Sequence, residues 1–316
     1  MQPTTPRPDP SAAAAINARL VGLSLSRPQS FGALTILPVI GSDIGDPPVL
    51  GTDALRGGHV VVEELDGAGV VAELLARNTG ADAALFLLGD ELLGGKQHRV
   101  VNTHFLIRPG SERRVPVSCI EAGRWHFAEH GRRGAFLCRR EALSVHGSLR
   151  SGLARQTRSS LEDRGRATSD QGEVWREVDR FSSSRGVRSR TSALSEALDG
   201  LGEDQVEPEL VAGQIGFAAW HGNRLVSIEL FGSSKVLAAA RSRLLRSAAA
   251  SVGRPDRGRK DAAQATQELL ARIGSADWMT CPGVSDGVEA RAALGEVEIV
   301  VIIAQDGLVA LSALAG

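Results

Sequence analysis

Along this chain the spacing of apolar positions changes from period two to period 3.6 and back again. FGALTILPVI (31–40) reads as a strand, as do HVVVEEL (59–65), an extended run over 70–75 and the wholly apolar AALFLLG (83–89). RVVNTHFLI (99–107) alternates, with Val101, Thr103, Phe105 and Ile107 on one side and His98, Val100, Asn102, His104 and Leu106 on the other. Pro109-Gly110 marks a turn, and RRVPVSCI (113–120) returns with Val115, Val117 and Cys119 inward. Pro116 cannot donate to a ladder, which predicts an edge strand or a bulge there. Short strands separated by frequent turns predict an antiparallel sandwich or partly open barrel.

Residues 142–205 are polar, rich in Arg and Ser, and read as helical. In GEVWREVDRFSSS (172–184) helical spacing puts Val174, Val178 and Phe181 on one face, and Thr191 or Ser192 is placed to cap the helix that follows. A hairpin is predicted from 211–220 and 224–231 about the turn HGN. An amphipathic helix over 233–252, a helix over 261–273 and two or three closing strands complete the reading, including VEIVVIIA at 297–304. Earlier, Thr52 is placed to cap a short helix. The fold class is α+β: an antiparallel β-sandwich or partly open barrel, a helical segment in the middle, and C-terminal helices and strands. Residues 1–30 are expected to be a flexible tail with a short helix at 12–20, residues 1–12 being Pro-rich and disposable, and 31–316 a single domain.

Composition adds a compartment and a charge pattern. With 316 residues, 42% of them apolar, a sizeable core is available. Three cysteines without CxxC spacing fit a reduced setting, and no apolar leader or 18-residue apolar run is present, so a soluble, cytoplasmic protein is expected. The net charge of -1 points to neither nucleic acid nor membrane as partner. The charge is unevenly spread, however. Residues 96–190 hold 20 basic and 10 acidic groups between acidic flanks, a pattern that suits a small anionic ligand. Arg outnumbers Lys 33 to 3, which draws attention to Lys96.

Candidate chemistry is densest at 87–127. Asp90 and Glu91 precede two glycines, and Lys96, Gln97 and Arg99 follow with cationic and amide donors; glycines let a backbone approach a ligand, and their N–H groups can cradle an anion. A phosphate P-loop is excluded, because five residues separate Gly89 from Gly95 and Gln97 stands where a hydroxyl is needed. His126 and His130 flank Glu129 without forming a zinc motif, so no metal is expected. Cys119 points inward, as an inert thiol does.

The segments GDELLGGKQHRVVNT and VPVSCIEAGRW together resemble a bacterial and archaeal family named for its association with ADP-ribosylglycohydrolases and rhodanese-phosphatase proteins. The resemblance rests on Gly89, Asp90, Glu91, Leu92, Gly94, Lys96, Gln97, Arg99, Asn102, Pro116, Val117, Ser118, Cys119, Glu121, Gly123, Arg124 and Trp125. It extends more weakly from about residue 31 to the end. Asp90, Gly95 and His98 depart from the more usual Glu, Ala and Asn. The family name implies a genomic link to ADP-ribose and NAD handling.

Two readings follow. In the first, the protein is an enzyme on a nucleotide or ADP-ribose/NAD-derived substrate. Asp90, Glu91, Lys96 and Glu121 are then the catalytic set, while Gln97, Arg99, Asn102, Arg124 and Trp125 bind substrate. In the second, the same surface serves a non-catalytic ligand-binding or protein-interaction module. Hairpin geometry further predicts Arg99 opposite about residue 121, with Glu121 beside the Arg99 guanidinium. Neither a cofactor nor an oligomeric state is specified by the residues.

Overall fold

The computed structural model describes residues 6–65, 72–123, 135–138, 144–187, 191–198, 206–253, 261–281, 285–305 and 307–316. The chain opens with β1 (Arg7–Pro8), α1 (Pro10–Val21), β2 (Ser24–Leu25), β3 (Gln29–Phe31) and β4 (Leu34–Ile40). Next come β5 (Val49–Leu50), α2 (Gly51–Arg56), β6 (Val60–Glu64), β7 (Glu73–Asn78) and β8 (Ala84–Phe86). The motif region carries β9 (Glu91–Gly94), β10 (Arg99–Val101), β11 (Phe105–Ile107), β12 (Glu112–Cys119) and β13 (Phe136–Leu137). Helices α3 (Gly147–Arg164), α4 (Gln171–Ser184) and α5 (Leu194–Leu198) follow, then the hairpin β14 (Gln214–His221) and β15 (Arg224–Phe231). Helices α6 (Ser234–Ala250) and α7 (Ala262–Gly274) lead to β16 (Met279–Cys281), β17 (Val288–Leu294), β18 (Val297–Ala304) and β19 (Gly307–Ala315).

This is an α+β fold. Among the described residues ten strands make one sheet, in the order β1-β16-β17-β18-β19-β15-β14-β4-β2, with β3 also on β4. A six-stranded sheet runs β13-β9-β10-β12-β7-β6, and a three-stranded one β11-β8-β5. The pairings are antiparallel except β5 with β8. Four strands, rather than two or three, follow α7, because Met279–Cys281 also joins the large sheet.

Apolar faces stack these pieces in layers. One face of the large sheet (Leu37, Val39, Ile228, Val301, Leu311) meets α1 and α7 through Ile16, Leu20, Leu270 and Ile273. Its other face meets α6 through Leu237 and Leu244, together with Leu85 and Leu106 of the small sheet. The small and six-stranded sheets close on each other through Phe86, Phe105, Leu92, Val101 and Val117. Helices α3, α4 and α5 pack Leu153, Val178 and Leu194 against Val100 and Ile120. As expected, α4 buries Val174, Val178 and Phe181.

Several expectations are corrected. Residues 6–30 are not a loose tail. Arg7 and Pro8 pair with β16, Asp9 caps α1 by accepting from the Ser11 and Ala12 amides (3.0 and 3.2 Å), and Ile16 is fully buried. The short helix expected at 12–20 is present as Pro10–Val21, but its few large side chains, Ile16 and Leu20, reach the core rather than lying in a flexible segment. Thr52 is not the cap of α2; Leu50 occupies that position and Thr52 lies inside the helix. Residues 99–107 are not one strand. After Val101 the chain leaves the six-stranded sheet, and Phe105–Ile107 pair with β8 in the small one. Pro116 is not on an edge strand. It faces Glu73 of β7, and its carbonyl accepts from the Asn102 amide (3.0 Å) at the last rung before β10 departs, where a missing N–H matters least.

Candidate functional site

The hand-over between β10 and β12 brings the two motif blocks together, in a register two residues from the hairpin expectation. Arg99 faces Cys119, Val100 faces Ser118 and Val101 faces Val117. The predicted pairing assumed one continuous hairpin about Pro109-Gly110. Because β11 leaves for another sheet, the turn does not set the register.

Side-chain contacts stitch the blocks. Gln97 Nε2 donates to the Glu121 carbonyl (2.7 Å), the Ser118 hydroxyl donates to Asn102 Oδ1 (2.8 Å), and the Arg99 guanidinium donates to Cys119 Sγ. Arg99, 1% exposed, also donates to Gln97 Oε1 (3.1 Å), and its carboxylate neighbour is Glu64 at 3.6 Å, not Glu121. Gln171, first residue of α4, accepts from the Cys119 amide (2.8 Å) and donates to its carbonyl (2.7 Å), so a helix end supplies the rung a further strand would have made.

The turn between β9 and β10 is closed from within. Gly94 and Gly95 have φ of 129° and 51°, conformations that favour glycine. The Gly94 amide donates to His98 Nδ1 (3.1 Å), that of Gly95 to the Ala135 carbonyl (3.2 Å), that of Lys96 to Glu64 Oε1 (3.0 Å) and that of His98 to Glu121 Oε2 (3.0 Å). Two carboxylates thus occupy the positions an anion would take. This corrects the expected cradle: the amides are present, and protein acceptors use them. Glu121 Oε2 also lies 3.6 Å from His98 Nδ1, the geometry of a carboxylate-supported base. The same nitrogen accepts the Gly94 amide.

Asp90 is separated from this cluster. It bridges Ser144, accepts from the Leu87 amide (2.8 Å) and lies 2.8 Å from Nη1 of Arg243 on α6. Burial raises its pKa above the ordinary carboxyl value, and the Arg243 charge opposes that rise. Glu91 is buried opposite Val100, and Lys96 is half-buried on the turn. Arg124 and Trp125 lie outside the described residues. The structure therefore assembles Lys96, Gln97, Arg99, Asn102 and Glu121 into one framework and directs Asp90 to another.

Cys119 is held up at about 11 by burial, against the opposing charge of Arg99, and is no ready nucleophile. Among the described residues no three His, Cys, Asp or Glu side chains form a metal-binding group, and no helix is long and apolar enough to cross a membrane.

Pattern reading missed the partners supplied from afar: Glu64, Gln171 and Arg243. Only the capping Asp170 just before Gln171 was a local signal, as its carboxylate accepts from the Gly172 amide (2.8 Å). Also missed is Arg150 of α3, fully buried, which donates to the Leu88 carbonyl (3.0 Å), to Glu229 Oε2 of β15 (3.2 Å) and to the Ser312 hydroxyl of β19 (3.1 Å).

In comparisons with known proteins, a family model matches residues 22–314: the ARPP-1 domain, described as ARG and Rhodanese-Phosphatase-superfamily-associated Protein. No curated protein and no solved structure matches the chain.

Proposed function

From the premise that the chain belongs to the ARG and Rhodanese-Phosphatase-superfamily-associated Protein domain family, we propose that it is a non-catalytic module that binds a small anionic ligand of nucleotide or ADP-ribose type. One observation carries the non-catalytic half of this reading. The amides of Gly94, Gly95, Lys96 and His98 all end on protein acceptors, two of them the carboxylates of Glu64 and Glu121, the second of which was expected to do chemistry. A general acid or base must reach its substrate's proton, and these groups are spent holding a turn. The cationic middle of the chain, with 20 basic and 10 acidic groups, supports the anionic half, and the family's name supports the ADP-ribose class.

The test incubates the protein with NAD and with ADP-ribose, following product by chromatography and the melting temperature in parallel. The expected result is a rise in melting temperature without product; ligand at 100 times its Kd stabilises by about 2.7 kcal/mol. Product formation that Glu121→Gln abolishes while the protein stays folded overturns the reading in favour of an enzyme.

A further inference from the structure

A cleft of about 370 Å³ opens between α2 and α6, lined by Leu50, Thr52, Arg56, Ser242, Arg243 and Arg246 among others. Its size falls within the roughly 300–1,000 Å³ of small-molecule sites. On α6, Ala239, Ser242, Arg243 and Arg246 recur at i, i+3, i+4 and i+7, so helical geometry alone puts them on one stripe. On α2, Thr52 and Arg56 are likewise one turn apart.

Arg243 is the telling residue. It is 5% exposed. Its Nη1 is anchored by Asp90 at 2.8 Å and donates to the Thr52 hydroxyl (3.2 Å). Its Nε and Nη2 are buried and have no acceptor among the described residues. Those two nitrogens form one edge of the guanidinium, the edge that grips two oxygens of one phosphate or carboxylate in parallel. The Asp90 ion pair and the Thr52 hydroxyl hold one end of this side chain, and its forked edge is left without a protein acceptor on the wall of the cleft. Arg246 and Arg56 add charge to the same cleft, and Asp53, paired with Arg56, is the acidic group on its wall. Three guanidinium groups and the Ser242 hydroxyl exceed what one carboxylate needs and suit a phosphate dianion or a diphosphate. Among the described residues the lining has no aromatic ring to stack a base.

We propose that this cleft binds the phosphate end of a small phosphorylated metabolite. The inference rests on the preceding reading for the existence of an anionic ligand and adds where it sits, since none of the motif-turn residues lines the cleft. The experiment titrates the full chain with pyrophosphate, inorganic phosphate, ADP-ribose and succinate by calorimetry at low ionic strength. Pyrophosphate and ADP-ribose are expected to bind and succinate not to. Arg246→Ala and Arg56→Ala should each weaken binding at least tenfold while the unliganded protein stays folded; Arg243→Lys, which keeps the charge beside Asp90 but loses the forked edge, should do the same to binding. ADP-ribose binding that all three variants retain overturns the cleft and leaves the preceding reading standing. Absence of binding by every phosphate compound overturns both, and equal binding of succinate overturns the phosphate assignment.

Discussion

His146 shows how far a single buried side chain can set the response to pH. Its Nδ1 accepts from the Leu149 amide and caps α3, and its ring stacks on Phe181 at 4.0 Å. Burial, helped by the nearby charges of Arg185 and Arg180, pushes it down to about 3. His104, equally buried near Arg150 and Arg291, is also pushed well below its ordinary value. A histidine whose folded-state pKa is depressed contributes stability that is present above its unfolded pKa and lost as pH falls from there toward the folded value. Unfolding free energy should therefore decline below about pH 6.5, each such histidine contributing on the order of 1.4 kcal/mol per pH unit. His146→Asn, which keeps an acceptor for the cap, should remove one histidine's share of that slope in denaturant titrations at pH 4 to 7; an unchanged slope would exclude His146 as the source. Burial acts on the thiols too: Cys119 is raised to about 11, and Cys138 and Cys281 to about 12. Native protein at pH 8 should resist iodoacetamide at all three and react promptly once unfolded, which mass spectrometry would register.

At the scale of an element, α1 and the β9–β10 turn carry the clearest expectations. Asp9→Ala removes the one carboxylate oxygen that accepts from both the Ser11 and Ala12 amides at the start of α1 and should cost about 0.5–2 kcal/mol. Ile16→Ala, at a fully buried position between α7 and the large sheet, should cost about 2–5 kcal/mol. Deleting residues 1–12 should lower the melting temperature by removing this cap and the rung from β1 to β16; an unchanged melt would return the segment to the status of a tail. In the turn, a Cβ at Gly95 would collide with the Phe136 ring and with Glu64, at φ 51°. Gly95→Ala should cost more than about 1 kcal/mol by combining steric overlap with an unfavourable backbone.

The whole molecule is joined by ion pairs that cross layers. Arg150 ties α3 to β15, β19 and the Leu88 carbonyl, with neither it nor Glu229 more than 1% exposed. Leaving one such partner unpaired costs about 3–5 kcal/mol, whereas replacing the pair with well-packed apolar groups is often neutral. Arg150→Met alone should lose that amount in chemical denaturation, and Arg150→Met with Glu229→Leu should recover much of it. Equal losses in the single and double variants would show that packing, not charge, holds this junction.

Periodicity alone determined most of the elements: α4 with its buried face, the β14–β15 hairpin, α6, α7 and the buried β18 all follow from spacing and end signals within a few neighbouring residues. The motif's two blocks were legible as a unit for the same reason, being dense and close in the chain. Tertiary structure decided what those residues face. A strand's pattern is unchanged whether it continues or departs, so the split of 99–107 between two sheets, and the Arg99–Cys119 register, depended on β8 being available as a partner. Asp90 and Glu91 are neighbours in the chain, but only folding gave Asp90 to Arg243, some 150 positions away. The amides of the glycine turn read the same whether they await a ligand or are already satisfied. Folding satisfied them: Gly94 by His98, Gly95 by the Ala135 carbonyl, and Lys96 and His98 by Glu64 and Glu121, brought in from β6 and from just beyond β12, because a backbone donor turned from water needs an acceptor.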